Sequence, residues 1–281
     1  MITLESRNVE LAIDPWLGGG MLAFKWRGID VFRPHTIGTS PLGLASFPLT
    51  PFCNRIAHGH IDCAGHGTML PIAPDGVEPA HALHGVGWTS PWATDDFSAE
   101  SANLSLQHDG TLWPWSIKTQ QRFDILENGY SHTLSVTNRD QHPMPAGLGL
   151  HPYFPRADAA LALEAKGFWK TGPDRLPQEY RLLDCAPEWF EHAGFDNCFA
   201  ECTAPIIIDW PTHRLKMQPS ANLCFAHVYT PPGEDFFCVE PVSHIPDAVN
   251  SDLDKAATGL VMLDPGETME VACRFELEEL T

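Results

Sequence analysis

Three short segments each place one ionisable side chain inside an apolar, strand-like run next to a glycine or a proline. A desolvated ionisable group is unfavourable by several kcal/mol unless it is paired or functional. Two histidines and one glutamate can together supply a general acid and a general base near neutral pH. The pattern therefore predicts an enzyme that transfers protons. The segments are Ala82-Leu83-His84-Gly85, Gly149-Leu150-His151-Pro152-Tyr153-Phe154 and Phe237-Cys238-Val239-Glu240-Pro241.

Glu240 ends an apolar run and is followed by Pro241, which cannot continue the hydrogen-bond ladder of a strand. In a strand, Phe236, Cys238 and Glu240 lie on one face, so the carboxylate shares that face with apolar groups. Such a carboxylate either has a partner or a raised pKa. We expect a functional glutamate at a strand tip. The alternative is a glutamate at the rim of the sheet, held in a salt bridge.

His151 and His84 lie in comparable surroundings, where glycines and prolines fix the backbone and allow a ligand to approach closely. Both are candidate catalytic residues. The alternative for each is a buried structural histidine, which is the commoner role of a single histidine in an apolar run. The chain has 14 histidines, so the choice of these two needs support from other residues.

Arg55 and its neighbour Asn54 are candidate ligands of a polar substrate. Arg55 follows Pro, Phe and Cys residues, and its planar guanidinium suits adjacent acceptors such as sugar hydroxyls or a carboxylate. The alternative is a buried pair with an acid such as Asp196, which itself lies between aromatic residues. Several aromatic side chains have a face that suits the C–H side of a sugar, although most are expected to pack in the core. They are Trp88, Trp92, Trp113, Trp115 and Tyr153.

One cluster raises the question of a metal. In a strand, His58, His60 and Asp62 would share a face, and Cys63 and His66 follow closely. Histidine and carboxylate are good ligands, but the spacing matches no standard site, and the nearby glycines indicate a turn. We therefore predict no metal and no other cofactor.

Charge and composition exclude several classes of protein. The 281 residues include 36 acidic and 17 basic ones, a net charge of −19, which disfavours binding to nucleic acid and to anionic membranes. No signal peptide or membrane-spanning run is evident. The eight cysteines are spread singly, without a C-x-x-C pair, which indicates free thiols. We expect a cytoplasmic protein, and no pattern indicates its oligomeric state.

The elements that must position these residues are predominantly strands. Most segments alternate with period two and end at Gly, Pro, Asn or Asp, which predicts one all-β domain over residues 1–281, an antiparallel β-sandwich. Asn128-Gly129 and Asp264-Pro265-Gly266-Glu267 are predicted turns. Residues 168–193 are expected to form a long loop. The predicted strands are Val9–Ile13, Met21–Trp26, Asn103–Gln107, Ile117–Ile125, His132–Asn138, Leu161–Ala165, Pro205–Asp209 and Glu270–Leu277, with short helical pieces at Asp158–Leu163, Pro177–Leu183 and Asp252–Ala257.

Taken in order, the motifs resemble those of the aldose 1-epimerase (galactose mutarotase) family. Any one tetrapeptide is weak evidence, but together they run from about residue 50 to the last strand and cover nearly the whole chain. The matching pieces are Asn54-Arg55-Ile56, Leu83-His84-Gly85, His151-Pro152-Tyr153-Phe154, Phe195-Asp196-Asn197-Cys198-Phe199, Val239-Glu240-Pro241 with Asp247-Ala248-Val249-Asn250, and Leu263-Asp264-Pro265-Gly266-Glu267.

The resemblance implies a large antiparallel β-sandwich of the galactose mutarotase type, with few short helices and a cleft on its concave face. It implies interconversion of the α and β anomers of a free aldose, with Glu240 as base, His151 as acid and His84 assisting. Arg55 and Asp196 would bind sugar hydroxyls, and Asn54 and Trp88 complete the predicted substrate contacts. The loop after His84 is shorter than is typical of galactose mutarotases, so galactose itself is not predicted.

Three other functions remain open. A hexose-6-phosphate 1-epimerase shares the fold and chemistry, but it should have extra arginines or lysines near the cleft, and few lie near these motifs. A glycoside hydrolase needs two carboxyl groups, nominally Glu240 and Asp196, and would leave the histidines unexplained. A non-catalytic sugar-binding module would not depend on Glu240 for any activity.

Overall fold

The computed structural model describes residues 1–36, 38, 40–63, 66–72, 81–190 and 194–280, and strands make up most of them. The alternation in the sequence is the reason. In the strand Ser101–Asp109, every second residue from Ala102 to Leu106 is buried. Each such strand turns one face to a core and the other to solvent. The predicted all-β class is confirmed.

The bounds of the strands in the described residues follow in chain order. They are β1 (Ile2–Glu5), β2 (Val9–Asp14), β3 (Gly20–Trp26), β4 (Ile29–Asp30), β5 (Ser46–Leu49), β6 (Arg55–Ile56), β7 (His60–Cys63), β8 (His66–Met69), β9 (Ala82–Leu83), β10 (Ala93–Phe97), β11 (Ser101–Asp109), β12 (Ser116–Leu126), β13 (Gly129–Asn138), β14 (Met144–Ala146), β15 (Gly149–Pro155), β16 (Ala160–Glu164), β17 (Gly167–Thr171), β18 (Pro177–Leu182), β19 (Asp196–Ala200), β20 (Thr203–Trp210), β21 (His213–Pro219), β22 (Phe225–Tyr229), β23 (Phe236–Val242), β24 (Val261–Leu263) and β25 (Thr268–Glu279).

Helices are short, as predicted. The described residues contain the α-helix α1 (Lys255–Thr258) and four single 3-10 turns, at Pro41–Gly43, Ala57–Gly59, Gly87–Thr89 and Ala248–Asn250. Within the described ranges, no helical segment has the length and apolar character that crossing a bilayer requires.

Two large antiparallel sheets form the sandwich. The first, called the site sheet here, has 11 described strands in the order β1-β2-β3-β5-β15-β23-β22-β19-β17-β18, with β4 on β3. The second, the back sheet, has eight described strands in the order β10-β11-β12-β13-β25-β21-β20-β16. Short two-stranded pairings join β6 to β9, β7 to β8 and β14 to β24.

Aromatic side chains fill the space between the two sheets. The ring of Phe24 on β3 contacts Tyr130 on β13 edge to face, with centroids 4.8 Å apart. Tyr130 in turn stacks on Phe275 of β25 at 4.8 Å, and Phe32 contacts Phe275 at 5.5 Å. Burying each of these rings stabilises the fold by about 1.5–3 kcal/mol. This core fixes the site sheet against the back sheet.

The central strands of the site sheet are buried on both faces. On β23, Phe237 and Val239 belong to the core between the sheets, whereas Cys238 and Val242 belong to a second cluster on the opposite face. Two-sided burial explains why this segment reads as a continuous apolar run rather than as an alternating one. Glu240 lies on the second face.

Two of the three predicted helical pieces are wrong. Asp158–Leu163 overlaps β16, and Pro177–Leu183 overlaps β18; helix α1 falls within Asp252–Ala257 and one residue beyond. Cross-strand packing overrides local propensity, since Trp169 on β17 packs against Tyr180 on β18 with centroids 5.4 Å apart.

The loop predicted over residues 168–193 is also wrong in its first part, because β17 and β18 form a hairpin there. Residues 191–193 lie outside the described residues.

All eight predicted strands overlap observed ones. The turn predicted at Asp264-Pro265-Gly266-Glu267 is confirmed, and the one predicted at Asn128-Gly129 is present one residue earlier in the chain. Leu126 pairs with Gly129, so that Glu127 and Asn128 form the tight connection between β12 and β13. The Glu267 amide donates to the Asp264 carbonyl at 2.9 Å just before β25.

Candidate active site

Three ionisable side chains lie side by side across the centre of the site sheet. His151 is on β15, Glu240 on β23 and His227 on β22, which are neighbouring strands. The register pairs His227 directly with Glu240 and places His151 opposite Glu240 on the other side. Cross-strand neighbours on one face have Cβ atoms about 5 Å apart, so the three side chains form one row.

A cavity of about 350 Å³ opens above this row. Its size is that of a small-molecule site. Six of the seven sequence-predicted site residues line it, brought together from five separate segments of chain in and around the site sheet. The lining residues are Arg33, Leu42, Asn54, Arg55, Leu83, His84, His151, Tyr153, Arg175, Asp196, His227, Tyr229, Phe236 and Glu240.

Glu240 and His151 form a close buried pair. Oε1 of Glu240 lies 3.4 Å from Nε2 of His151, and both side chains are almost fully removed from solvent. Among the described residues, the second carboxylate oxygen of Glu240, Oε2, is buried and has no hydrogen-bond partner. A buried carboxylate oxygen of this kind is suited to accept a proton from a ligand hydroxyl.

The pKa values of the pair are shifted in opposite directions. Burial raises the pKa of Glu240 well above its usual range, the negative charge of Asp196 raises it further, and Arg55 opposes both. Burial lowers the pKa of His151 to about 3, and His227 adds to that effect. A carboxylate with a raised pKa is a stronger base, and an imidazolium with a lowered pKa is a stronger acid.

His84 faces the pair from a left-handed turn. Its backbone amide donates to the carbonyl of Asn54 at 2.8 Å, and its Nδ1 accepts a hydrogen bond from the Asn54 amide at 3.2 Å. Its ring lies 5.1 Å from that of His151, centroid to centroid. Burial lowers the pKa of His84 well below its usual value. The imidazole is therefore neutral, with its proton on Nε2, and acts as a hydrogen-bond donor.

Gly85 explains why a glycine must follow this histidine. Its φ is +75°, and a Cβ atom at this position would lie 2.1 Å from the carbonyl oxygen of Thr50. Only glycine fits that close approach. The turn fixes His84 against the loop that carries Asn54 and Arg55.

Arg55 and Asp196 meet as a buried ion pair across the cavity. Nη1 and Nη2 of Arg55 donate to Oδ1 and Oδ2 of Asp196 at 3.3 and 3.2 Å. Nη1 of Arg55 also donates to Oδ1 of Asn54 at 3.2 Å. The alternative role considered for Arg55, a buried pair with Asp196, is thus observed, and both side chains still line the cavity.

Asp196 has two further donors. Nε2 of His227 lies 2.8 Å from Oδ1, and Nη1 of Arg175 donates to Oδ2 at 2.8 Å. Burial by itself would raise the pKa of Asp196, but the hydrogen bond and charge of His227, together with Arg55, outweigh it and hold the pKa below its usual value. Asp196 is therefore an anion that organises the cations around it.

Sequence reasoning missed three basic residues of this cavity: His227, Arg175 and Arg33. His227 lies in the apolar run Phe225–Tyr229. An ionisable residue inside an apolar run is the signal that identified Glu240, so the same signal could have identified His227. Arg175 reaches the cavity from a segment that was predicted to be a loop, and no local pattern identifies it.

Arg33 lies against an aromatic wall of the cavity. Its guanidinium carbon is 3.9 Å from the ring centroid of Tyr153 and 4.5 Å from that of Phe236. Its Nη2 donates to the carbonyls of Leu42 and Leu44. The sequence identified Tyr153 as an aromatic with a face suited to a sugar, and Tyr153 does line the cavity.

Trp88 does not line the cavity. It is buried behind His84, 5.6 Å from that ring, stacks on Phe47 and donates its indole N–H to the carbonyls of Leu83 and Gly85. The predicted contact between Trp88 and a sugar is therefore not supported by this placement. Its position is that of a support for His84. Trp92, Trp113 and Trp115 lie in the core, as expected for most of the aromatics.

The histidine cluster near residue 60 differs from its predicted geometry. His58 lies in a 3-10 turn with φ +50°, so only His60 and Asp62 share a face of β7. Among the described residues, no group of three or more histidine, cysteine, aspartate or glutamate side chains is arranged to hold a metal ion. The side chain of His66 lies outside the described ones.

Sequence comparison identifies the protein family over nearly the whole chain. A sequence profile of the family aldose 1-epimerase matches residues 1–276. The uncharacterized protein YphB of Escherichia coli strain K12 is 30% identical over 280 residues, which cover 92% of this chain and 93% of that protein.

Solved structures with the same fold cover almost the entire chain. A candidate aldose 1-epimerase from Escherichia coli K12 superposes with a TM-score of 0.88 at 26% identity, covering 99% of this chain and 98% of that one. A galactose mutarotase-like protein from Clostridium acetobutylicum gives 0.86 at 17% identity, covering 99% and 95%. Galactose 1-epimerase from Lactobacillus acidophilus gives 0.76 at 16% identity, covering 99% and 94%. The last two likenesses concern the fold alone.

Proposed function

Because the chain belongs to the aldose 1-epimerase family, we propose that it interconverts the α and β anomers of an aldose, with Glu240 as the base and His151 as the acid. The observation that carries this proposal is the buried pair at the cavity floor, with Nε2 of His151 3.4 Å from Oε1 of Glu240. Two groups whose pKa values are shifted in opposite directions lie next to one small cavity. They suit a reaction that moves two protons at the two oxygens bonded to C1 of a sugar.

The reaction requires removal of the proton from O1 while the ring oxygen O5 receives one. The C1–O5 bond then breaks, the aldehyde forms, and rotation about C1–C2 presents the other face of the carbonyl. Closure reverses both proton transfers. The steps are redox-neutral and move only protons, so they require no cofactor.

One proton on the Glu240–His151 pair is enough for the whole cycle. Ring opening converts a carboxylate and an imidazolium into a carboxylic acid and a neutral imidazole, and closure restores the starting forms. Burial raises the pKa of Glu240 and lowers that of His151 to about 3, so in the free site the shared proton resides on Glu240 and the carboxylate–imidazolium form is a minor one. From that minor form, both shifts favour the proton transfers of ring opening. A positioned acid or base contributes about 10²–10⁴ in rate.

The other cavity residues are assigned to binding. His84, neutral and protonated on Nε2, donates to a ring or anomeric oxygen. Arg55 and Asn54 donate to hydroxyl groups, and Tyr153 offers an apolar face to the C–H side of the sugar. Asp196 holds Arg55 and His227 in place.

A phosphorylated aldose is the second candidate substrate, and the charge of the cavity favours it. The fold brings Arg33 and Arg175 to the same cavity as Arg55, so three arginines and two carboxylates line it. Among the described residues, Arg33 has no acidic partner within ion-pair distance. This local excess of positive charge contrasts with the net charge of −19 of the whole chain.

Glycoside hydrolysis is less well supported. Asp196, the nominal second carboxylate, is committed to two arginines and a histidine. A nucleophile or base needs a free lone pair directed at the substrate. The contacts with the arginines and the histidine occupy the lone pairs of Asp196.

Anomer exchange measured by magnetisation-transfer NMR tests the proposal. The panel is D-glucose, D-galactose, D-xylose and L-arabinose, together with glucose 6-phosphate and galactose 6-phosphate. We expect exchange far above the spontaneous rate for at least one of them, and the preferred sugar decides between the free and phosphorylated classes. Exchange at the spontaneous rate throughout, with sugar binding intact, would identify a binding module and refute the enzyme.

A further inference from the structure

The hairpin of β17 and β18 brings one side chain, Arg175, to the wall of the cavity. Arg175 lies in the connecting turn with φ +62°, and its amide donates to the carbonyl of Gly172 at 2.9 Å. The side chain crosses to Asp196 and is 39% exposed there. Among the described residues of this hairpin, Arg175 is the one that lines the cavity.

The hairpin is held by hydrogen bonds at its tip and on its first strand, β17. Nδ1 of His81 accepts from the amide of His58, so Nε2 carries the proton and donates to the carbonyl of Asp174 at 3.0 Å. On β17, the carbonyl of Trp169 accepts a hydrogen bond from Nδ2 of Asn197 at 3.0 Å. The residue before Arg175 is thus fixed, and the position of the guanidinium is set by the fold.

The hydrogen-bonding capacity of Asp196 is filled by protein donors. A carboxylate has about four lone-pair sites. On Asp196, Oδ1 receives His227 and Nη1 of Arg55, while Oδ2 receives Nη2 of Arg55 and Nη1 of Arg175. A sugar hydroxyl can therefore donate to Asp196 only by displacing one of these groups.

Arg175 is the partner of Asp196 that a ligand reaches most easily. The side chains of Arg55 and His227 are 11% and 2% exposed, whereas that of Arg175 is 39% exposed. A ligand in the cavity must therefore either contact Arg175 or push it aside. The 2.8 Å contact between Nη1 and Oδ2, together with the fixed hairpin tip, favours contact.

We propose that Arg175 is a substrate-binding residue, which donates to a hydroxyl or phosphate oxygen of the sugar while Asp196 holds it in place. This inference rests on the proposed function, because it takes the ligand to be an aldose. In this arrangement Asp196 is a positioning residue that orients two arginines and a histidine, rather than a direct sugar ligand.

The test compares three variants of the full-length protein, R175A, R175K and the control R181A. Arg181 lies on the same hairpin, but it is exposed and pairs with Glu179 on its own strand. Dissociation constants for the tightest-binding sugar of the panel come from isothermal titration, and kcat and KM come from anomer exchange. Circular dichroism and melting temperature show whether each variant folds.

We expect R175A to weaken binding and raise KM about 10- to 100-fold with kcat changed less than about threefold, since a hydrogen bond from a charged donor is lost. R175K, which retains a cation, should recover part of the affinity, and R181A should match the wild type. Unchanged or tighter binding by R175A would overturn the inference, and tighter binding would show that Arg175 competes with the sugar for Asp196.

A second measurement separates contact from mere support of Asp196. Deoxy analogues of the same sugar, each lacking one hydroxyl, or the unphosphorylated form of a phosphorylated sugar, should bind the wild type more weakly. If Arg175 contacts one of these groups, removing that group costs R175A little further affinity. Full additivity for every group would overturn the inference.

Failure of the inference and failure of the proposed function are distinguishable. Titration measures binding without turnover, so the comparison of R175A with R181A stands even if the wild type does not accelerate anomer exchange. If no sugar of the panel binds the wild type, the ligand class is wrong and the inference falls with it.

Discussion

His151 and His132 are both buried histidines whose pKa is lowered to about 3, mainly by burial. His151 lies on the cavity face of the site sheet, 3.4 Å from Glu240. His132 lies on the core face of the back sheet, where its ring stacks on Phe123 and its Nε2 donates to Oε1 of Gln121 at 2.9 Å. A lowered pKa therefore reports burial, whereas an acidic partner and a cavity distinguish the candidate catalytic histidine.

The two sheets differ in how many of their faces are buried and in the polar groups that those faces carry. The back sheet packs one face on the core, where the polar side chains of His132 and Gln121 are hydrogen-bonded to each other. The site sheet is buried on both faces, and the charged side chains on its second face are paired with one another. Asp196 and Arg55 are held there at 3.2 Å. Fold stability alone does not require such a row, because replacing buried charges by apolar groups is often neutral or stabilising.

The largest expected difference between the two histidines is in activity. H151N removes the proton donor, and we expect kcat/KM for anomer exchange to fall about 10²- to 10⁴-fold. H132N removes a buried side chain far from the cavity and should leave kcat/KM within about threefold, although it lowers stability by about 1–3 kcal/mol. Magnetisation-transfer NMR on folded samples measures both. A comparable loss of activity in H132N would break the comparison.

A smaller difference is expected in the pH dependence of stability. The folded-state pKa of His132, about 3, lies below the ordinary value of 6.5, so the stability it contributes is present above pH 6.5 and is lost as the pH falls toward 3. Between those two pH values, His132 makes the free energy of unfolding change by about 1.4 kcal/mol per pH unit. H132N should remove that slope from the free energy of unfolding.

The Glu240–His151 pair should contribute almost no slope just above pH 4.5. There the folded state binds one proton fewer at His151, because its pKa is lowered from 6.5 to about 3, and one more at Glu240, whose pKa is raised above 4.5. The double variant E240Q/H151N should therefore keep the wild-type slope just above pH 4.5, where H132N flattens it. Urea unfolding at several pH values measures this, and equal slopes in H132N and the wild type would contradict it.

Three of the predicted site residues that line the cavity share one property. Glu240, His151 and His84 are ionisable groups inside apolar runs, so their cost of burial is visible locally. Arg175 could not be found in this way, because it enters the cavity through a contact between a hairpin turn and Asp196, 21 positions along the chain. That contact exists only after β17 and β18 pair.

The differences between the predicted and the observed placements have the same origin. Trp88 was assigned to the sugar because its ring is large and flat, but packing against Phe47 turns it behind His84. The segment Pro177–Leu183 was predicted to be helical, but most of it is strand β18 because β17 pairs with it. Local patterns predicted which groups are costly to bury, whereas three-dimensional partners decided where side chains point.

The most direct test of the account is the anomer-exchange rate of E240Q, H151N and the double variant E240Q/H151N, measured by magnetisation transfer on the preferred sugar. If the two residues pass one proton back and forth, each single variant should lose about 10²–10⁴ in rate, and the double variant should be no slower than the slower single one. A near wild-type rate in E240Q, or a loss in the double variant equal to the product of the two single losses, would contradict the account.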